Sequence, residues 1–149
     1  MPKLSELMTQ VSQQRVVVVG DLIVDIHSHG EPTGVSSEAP IIVARHLRSD
    51  ISHGGAGLVA RNIAALGSVC DFVSVVGTDA HADTARTIER EGVRAHFVVS
   101  PEATTTVKHR FLLDGQKVFR WDHLNTKEIS PEGEQEVVGV VKRQLPHAT

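Results

Sequence analysis

The chain has 149 residues, 40% of them apolar, and a net charge of −3, so it is long enough for one globular domain with a core. Four Phe, one Trp and no Tyr are too few for a base-stacking platform, and no basic block occurs, so no nucleic-acid partner is expected. A single cysteine, Cys70, excludes an internal disulfide and suits a reducing cytoplasm, and no stretch reads as a signal peptide or a membrane span.

Residues 1–14 are polar and mixed, and predict an N-terminal arm or frayed helix ahead of the domain proper at 15–149. "RVVVVGD" (15–21) is a β-branched run of the kind a strand buried on both faces shows. Residues 22–47 differ in kind. Strand-like pieces at 22–29 and 41–47 surround a Gly/Pro/Ser/Glu loop, which predicts a β excursion away from the main sheet. Its apolar pieces "LIVDI" and "APIIVA" would be half exposed in a monomer, so the excursion is expected to pair two chains.

A helix is predicted from Gly54 to Leu66, with Val59, Ile63 and Leu66 on one face and Gly67 as its stop. "SVCDFVSVVG" (68–77) is the next buried strand, with Cys70 as an inert buried thiol. Asp79 is placed to cap a helix running to about Glu91. A strand follows at 95–100, then two strands within 104–122 around Asp114-Gly115, a hairpin signal. Ser130 and Pro131 open a last helix with Val137, Val141 and Leu145 on one face. Strands alternating with helices imply a parallel sheet covered on both sides. The chain ends just after a helix that should lead into another strand.

Gly54, Gly55 and Gly57 crowd one turn. No Gly-Lys-Ser or Gly-Lys-Thr follows, which excludes a P-loop, and the first strand lacks the G-x-G-x-x-G turn of a dinucleotide site. Two readings remain. The turn either presents backbone N–H groups to an oxygen-rich ligand or only permits close packing. His27 and His29 have the spacing of a metal pair on one strand face, but without a third ligand they read as surface histidines. Asp21 and Asp25, if on one extended strand, lie about 13 Å apart, too far for a glycosidase pair. Lys108, Arg110 and Arg120 flank one another on the hairpin, as a solvated face or as a clamp on an anionic group.

The motifs "VVVVGDLIVDIHSHG", "VSSEAP", "HGGAGLVARNIAALG", "VVGTDAHA", "EGV", "TTTVKHR" and "FRWD" occur in one order and spacing. Together they resemble the ribokinase-like (PfkB) carbohydrate kinases, nearest the branch that phosphorylates heptose 7-phosphate. The resemblance implies a ribokinase-like α/β fold, its N-terminal half only, with a parallel sheet flanked by helices and a small β-sheet lid built from the excursion. It implies that Asp25, Gly54 and Gly55 touch sugar hydroxyls, and it raises the clamp reading of Lys108 and Arg110. It implies ATP and Mg as cofactors, at a site mostly outside this chain.

Two positions depart from the pattern: Leu58 stands where the family has Asn, and Gly34 where the heptose-phosphate branch has Arg. The family's Gly-Ala-Gly-Asp motif, which supplies the catalytic base and the anion hole, does not occur here. No catalytic residue is therefore expected in this chain. The expectation is the substrate-binding and lid half of an ATP-dependent kinase acting on a sugar or sugar phosphate, with the family's C-terminal half as a possible missing partner and a homodimer through the lid as another. The alternative is a truncated, non-catalytic relative that binds sugar weakly or self-associates.

Overall fold

The computed structural model describes residues 3–148. In chain order the elements are α1 (Leu4–Ser12), β1 (Arg15–Val19), β2 (Leu22–Val35), β3 (Ile42–Gly55), α2 (Ala56–Ala65), β4 (Val69–Val76), α3 (Ala80–Arg86), β5 (Val93–Val99), β6 (Val107–Leu113), β7 (Gln116–His123) and α4 (Pro131–Gln144). They form two sheets: a parallel one in the order β1-β4-β5, and a mixed one in the order β3-β2-β6-β7. No helix among the described residues is long and apolar enough to cross a membrane.

Alternation along β4 builds the parallel layer. Cys70, Phe72 and Val76 point to one face, where they meet Ala60 of α2, Ala82 and Ala85 of α3, and Ile88. Val73 points the other way and packs with Val98 of β5 against Val140 of α4, beside Val17, Val75, Val137 and Val141. The result is a sheet with helices on both faces, as the alternating pattern predicts. Two details differ. The helix expected to reach Glu91 tightens into a 3-10 turn at Thr87–Glu91, and Ile88 enters the core from that turn. Leu145 falls past the end of α4, half exposed, outside the apolar stripe expected to include it.

The second sheet is larger than the sequence pattern suggests. The strand read at 22–29 continues to Val35, and the strand read at 41–47 runs from Ile42 to Gly55, so α2 begins at Ala56 instead of Gly54. The stretch "RSDISHGG" lacks apolar alternation, so its strand character comes from an antiparallel ladder with β2, running from Leu22↔Gly55 to Val35↔Ile42. The hairpin also joins this sheet, through parallel pairing of β6 with β2 from Val24↔Val107 onward. Its turn has positive φ at both Asp114 and Gly115, as an Asp-Gly hairpin requires. One face of the sheet seats Val24 and Val107 in the same core cluster as α3.

A buried ion cluster closes the opposite end of the parallel sheet. The Asp71 side chain is almost wholly buried; Arg15 Nε donates to its Oδ2 at 2.7 Å, and His96 Nε2 lies 3.0 Å from its Oδ1. Arg15 also donates to Gln144 Oε1 at 3.2 Å, which ties β1 to the end of α4. Burial alone would raise the Asp71 pKa, but hydrogen bonds from His96 and Arg15, with their charges, outweigh it and hold the carboxyl below its ordinary range. Burial, and then the Asp71 charge, push the neighbouring Cys70 thiol up to about 11, which makes it inert as expected.

Removing Asp71 takes away the buried acceptor that Arg15 and His96 share. Asp71→Ala should cost about 3 kcal/mol, near the low end for breaking a buried pair because Arg15 and His96 can still reach water. In the parent the Asp71 contribution is complete above the unfolded carboxyl pKa and drains away as pH falls through the lower folded value. Urea unfolding at neutral and acid pH should therefore show the parent and Asp71→Ala converging in acid; an equal gap at both pH values would refute this account.

Candidate functional site

The two sheets meet where the chain leaves β1. Gly20 N donates to Val73 O at 3.1 Å and Leu22 N to Ser74 Oγ at 3.1 Å, so the entry to β2 is fastened to β4. Ala56 N donates to Asp21 O at 2.9 Å, which fixes the start of α2 to the same corner. Asp21 thus lies in a break between strands, and the distance reckoned for one extended strand does not apply to it and Asp25.

Asp25 sits on β2 with its side chain on the face opposite Val24. Its Oδ1 is ion-paired with Arg110 Nη1; the two side chains are 16% and 21% exposed, so the pair is sheltered yet reachable. Strand register places Ser52 beside Asp25 on β3 and Lys108 beside it on β6, with Asp122 next on β7. The following row on the same face reads Asp50, His27, Arg110 and Arg120. The structure therefore brings Asp25, Lys108 and Arg110 together. Arg120 turns to Asp122, its Nε 2.8 Å from Oδ1.

The glycines meet protein atoms first. The space a Cβ would take at Gly54 is filled by the Asp25 carboxylate. At Gly55, φ is +60° and a Cβ would stand 2.5 Å from the Asp21 carbonyl oxygen. Gly54 therefore lets the Asp25 carboxylate lie over the backbone of β3, and Gly55 lets the chain turn from strand straight into α2. Leu58, in the first turn of α2, is about half exposed. His27 and His29 do share a face, but His29 is 3.1 Å from Asp50, which also pairs with Arg48. Among the described residues no group of three or more His, Cys, Asp or Glu could hold a metal ion.

Sequence reading missed three supports of this corner. Asp79 caps α3 through His81 N at 2.9 Å, as expected, and also accepts from Thr105 N at 2.8 Å, which sets the approach to β6. Burial would raise its pKa, but these backbone hydrogen bonds dominate and hold it low. Buried His53 places Nδ1 2.9 Å from Glu91, which also pairs with Arg61, and so anchors the end of β3 beside the turn after α3. His109 Nε2 lies 2.7 Å from Ser28 Oγ; burial, with His123 and His81 nearby, pulls its pKa below the ordinary imidazole value. Each partner is distant in sequence, so no local pattern marks it. A cavity of about 370 Å³ opens at the carboxyl ends of β1 and β4, lined by Asp21, Ser74, Thr104, Thr106, Asn125 and Lys127 among others. Open α/β sheets bind ligands at this end of their strands. Asp25 does not line the cavity; Asp21 and Leu22 connect the two places.

The sequence pattern of the pfkB family carbohydrate kinases matches residues 13–143. The chain is 41% identical over 141 residues to the bifunctional protein HldE of Nitrobacter hamburgensis, covering 92% of this chain and 29% of that protein. It is 39% identical over 140 residues to the D-beta-D-heptose 7-phosphate kinase of Bordetella bronchiseptica, covering 91% of this chain and 43% of that one. The chain thus spans less than half the length of these curated relatives. Its fold resembles that of the phosphofructokinase-2 of Escherichia coli solved with fructose-6-phosphate, with a TM-score of 0.65 and 16% identity, over 88% of this chain and 41% of that one.

Because Gly55 combines a positive φ with a backbone oxygen at its Cβ position, Gly55→Ala should destabilise by about 2 kcal/mol. That corresponds to a fall of about 4–8 °C in Tm for a chain of this size, read by calorimetry. An unchanged Tm would show that the corner can relax without cost.

Proposed function

Since this chain belongs to the pfkB family of carbohydrate kinases, we propose that it is the substrate-binding and lid portion of an ATP-dependent kinase whose acceptor is a heptose phosphate. The single observation behind the proposal is the sheltered Asp25 carboxylate beside Arg110 and Lys108 at the junction of the two sheets. A carboxylate accepts from sugar hydroxyls, and two cations on the next strand suit an anionic substituent on the same sugar. The heptose class is favoured by the names and identities of the relatives above. In this reading Asp25 orients the acceptor, Gly54 lets its carboxylate lie close to the strand, and Arg110 with Lys108 receives the substrate phosphate.

ATP supplies the phosphoryl group when bound. The N-terminus of α2 is not left open as a cradle for it: a Cβ at Gly55 would stand against the Asp21 carbonyl oxygen. The catalytic base, the anion hole and most of the ATP and Mg site therefore belong to the family's C-terminal half. Phosphoryl transfer depends on positioning and charge stabilisation around the moving group, and this chain furnishes only the acceptor side.

Calorimetric titration with a heptose 7-phosphate should show Asp25→Ala binding more weakly by about 1–3 kcal/mol. ATP consumption should need both this chain and a family C-terminal half. Equal affinity in Asp25→Ala, or sugar-dependent turnover by the 149-residue chain alone, would overturn the assignment.

A second reading, self-association through the lid, has an observation of its own. Register puts Ile51, Trp121 and Phe119 on the face away from Asp25, and all three are more than half exposed. Light scattering should give twice the 16.1 kDa chain mass, reverting to monomer in Phe119→Ser/Trp121→Ser. A monomeric parent at high concentration would exclude this pairing.

A further inference from the structure

Asp122 carries an unmet hydrogen-bonding demand on the face that holds Asp25. Its Oδ1 is buried and has no hydrogen-bond partner. Arg120 Nε is 2.8 Å away, but the N–H is not directed at that oxygen, and the Arg120 side chain is itself more than half exposed. Such a contact adds little stability, whereas a buried acceptor left unsatisfied is costly. The register sets Asp25, Lys108 and Asp122 side by side across β2, β6 and β7. Directly paired residues share a face, so Asp25 and Asp122 stand on either side of the Lys108 position, their backbones about 10 Å apart across two strand spacings.

Resting on the function proposed above, we propose that Asp122 is a specificity-determining residue that accepts a hydrogen bond from a hydroxyl on the exocyclic carbon chain of the sugar, while Asp25 holds hydroxyls of the ring. A pyranose ring alone bridges this span poorly; a ring with a hydroxylated exocyclic chain fills it. A heptose 7-phosphate has such a hydroxyl, on the carbon next to its phosphate-bearing one. A hexose 6-phosphate has none. A site with an acceptor waiting for a hydroxyl rejects the analogue lacking it, because the acceptor is then left unpaired.

Two measurements test this. The first needs no ligand: thermal unfolding of Asp122→Asn and Asp122→Ala. An acceptor waiting for substrate destabilises the free chain, so both midpoints should equal or exceed the parent's; a fall of several degrees would make Asp122 a structural ion-pair partner and overturn the proposal. The second is calorimetric titration with a heptose 7-phosphate and with the hexose 6-phosphate of the same ring configuration. Asp122→Ala should bind the heptose phosphate roughly tenfold more weakly and the hexose phosphate unchanged, with Asp122→Asn in between. Asp25→Ala should weaken both. Equal losses for the two sugars, or none, would overturn the role of Asp122 and leave the function standing. A parent chain that binds neither sugar would overturn both.

Discussion

Everything at the candidate site depends on how the chain turns the corner between its two sheets. Three hydrogen bonds donated by backbone N–H groups hold that corner: Gly20 to the Val73 carbonyl, Leu22 to the Ser74 hydroxyl, and Ala56 to the Asp21 carbonyl. Together they fix where β2 starts, where α2 starts and the angle between them. Gly55 is the residue that makes the third bond possible, since any side chain there would collide with the oxygen that Ala56 needs. Asp25 lies only three residues beyond Leu22, so its position follows from the corner and is not adjustable by its own side chain.

From that corner the second sheet projects as a charged floor on one face and an apolar one on the other. The division is a consequence of strand alternation across four strands in register. The charged face carries both signs, and Asp25 and Arg110 partly neutralise each other there while remaining within reach of solvent. On the opposite face, Val24 and Val107 are committed to the core, and the aromatic residues further out are left uncovered. One sheet thus joins a polar, charged surface with an apolar one that is covered near the core and exposed further out. His53 and Asp79 stiffen its base from the core side, each through partners contributed by another element.

The parallel layer was legible from residues alone because its signals are local. "RVVVV" and "VCDFVSVV" are runs dominated by valine, although β1 lies at the sheet edge and is half-buried where its run suggested burial on both faces; Asp79 and Ser130 are side-chain caps, and Asp114-Gly115 forms the predicted hairpin turn. The second sheet was legible only at its edges. Residues 48–55 have no apolar period, and their strand form is imposed by the ladder with β2. Likewise nothing in the spacing of Asp25 and Arg110, 85 residues apart, announces an ion pair. The resemblance in motif order pointed to Asp25, Gly54 and Gly55, and the structure adds that the Asp25 carboxylate lies over Gly54 and that Gly55 makes the turn into α2.

By itself, then, the sequence determined which segments form helices and strands wherever their own side chains are to be buried, together with the kinship that motif order carries. Burial leaves a periodic mark that needs no partner to be read. Only the tertiary structure decided which strands pair, that the hairpin belongs to the second sheet and not to the parallel one, and which charges face one another there. Pairing is made by backbone groups that every residue carries, so it leaves no side-chain pattern, and a long-range ion pair is defined only after the strands between its partners are in register.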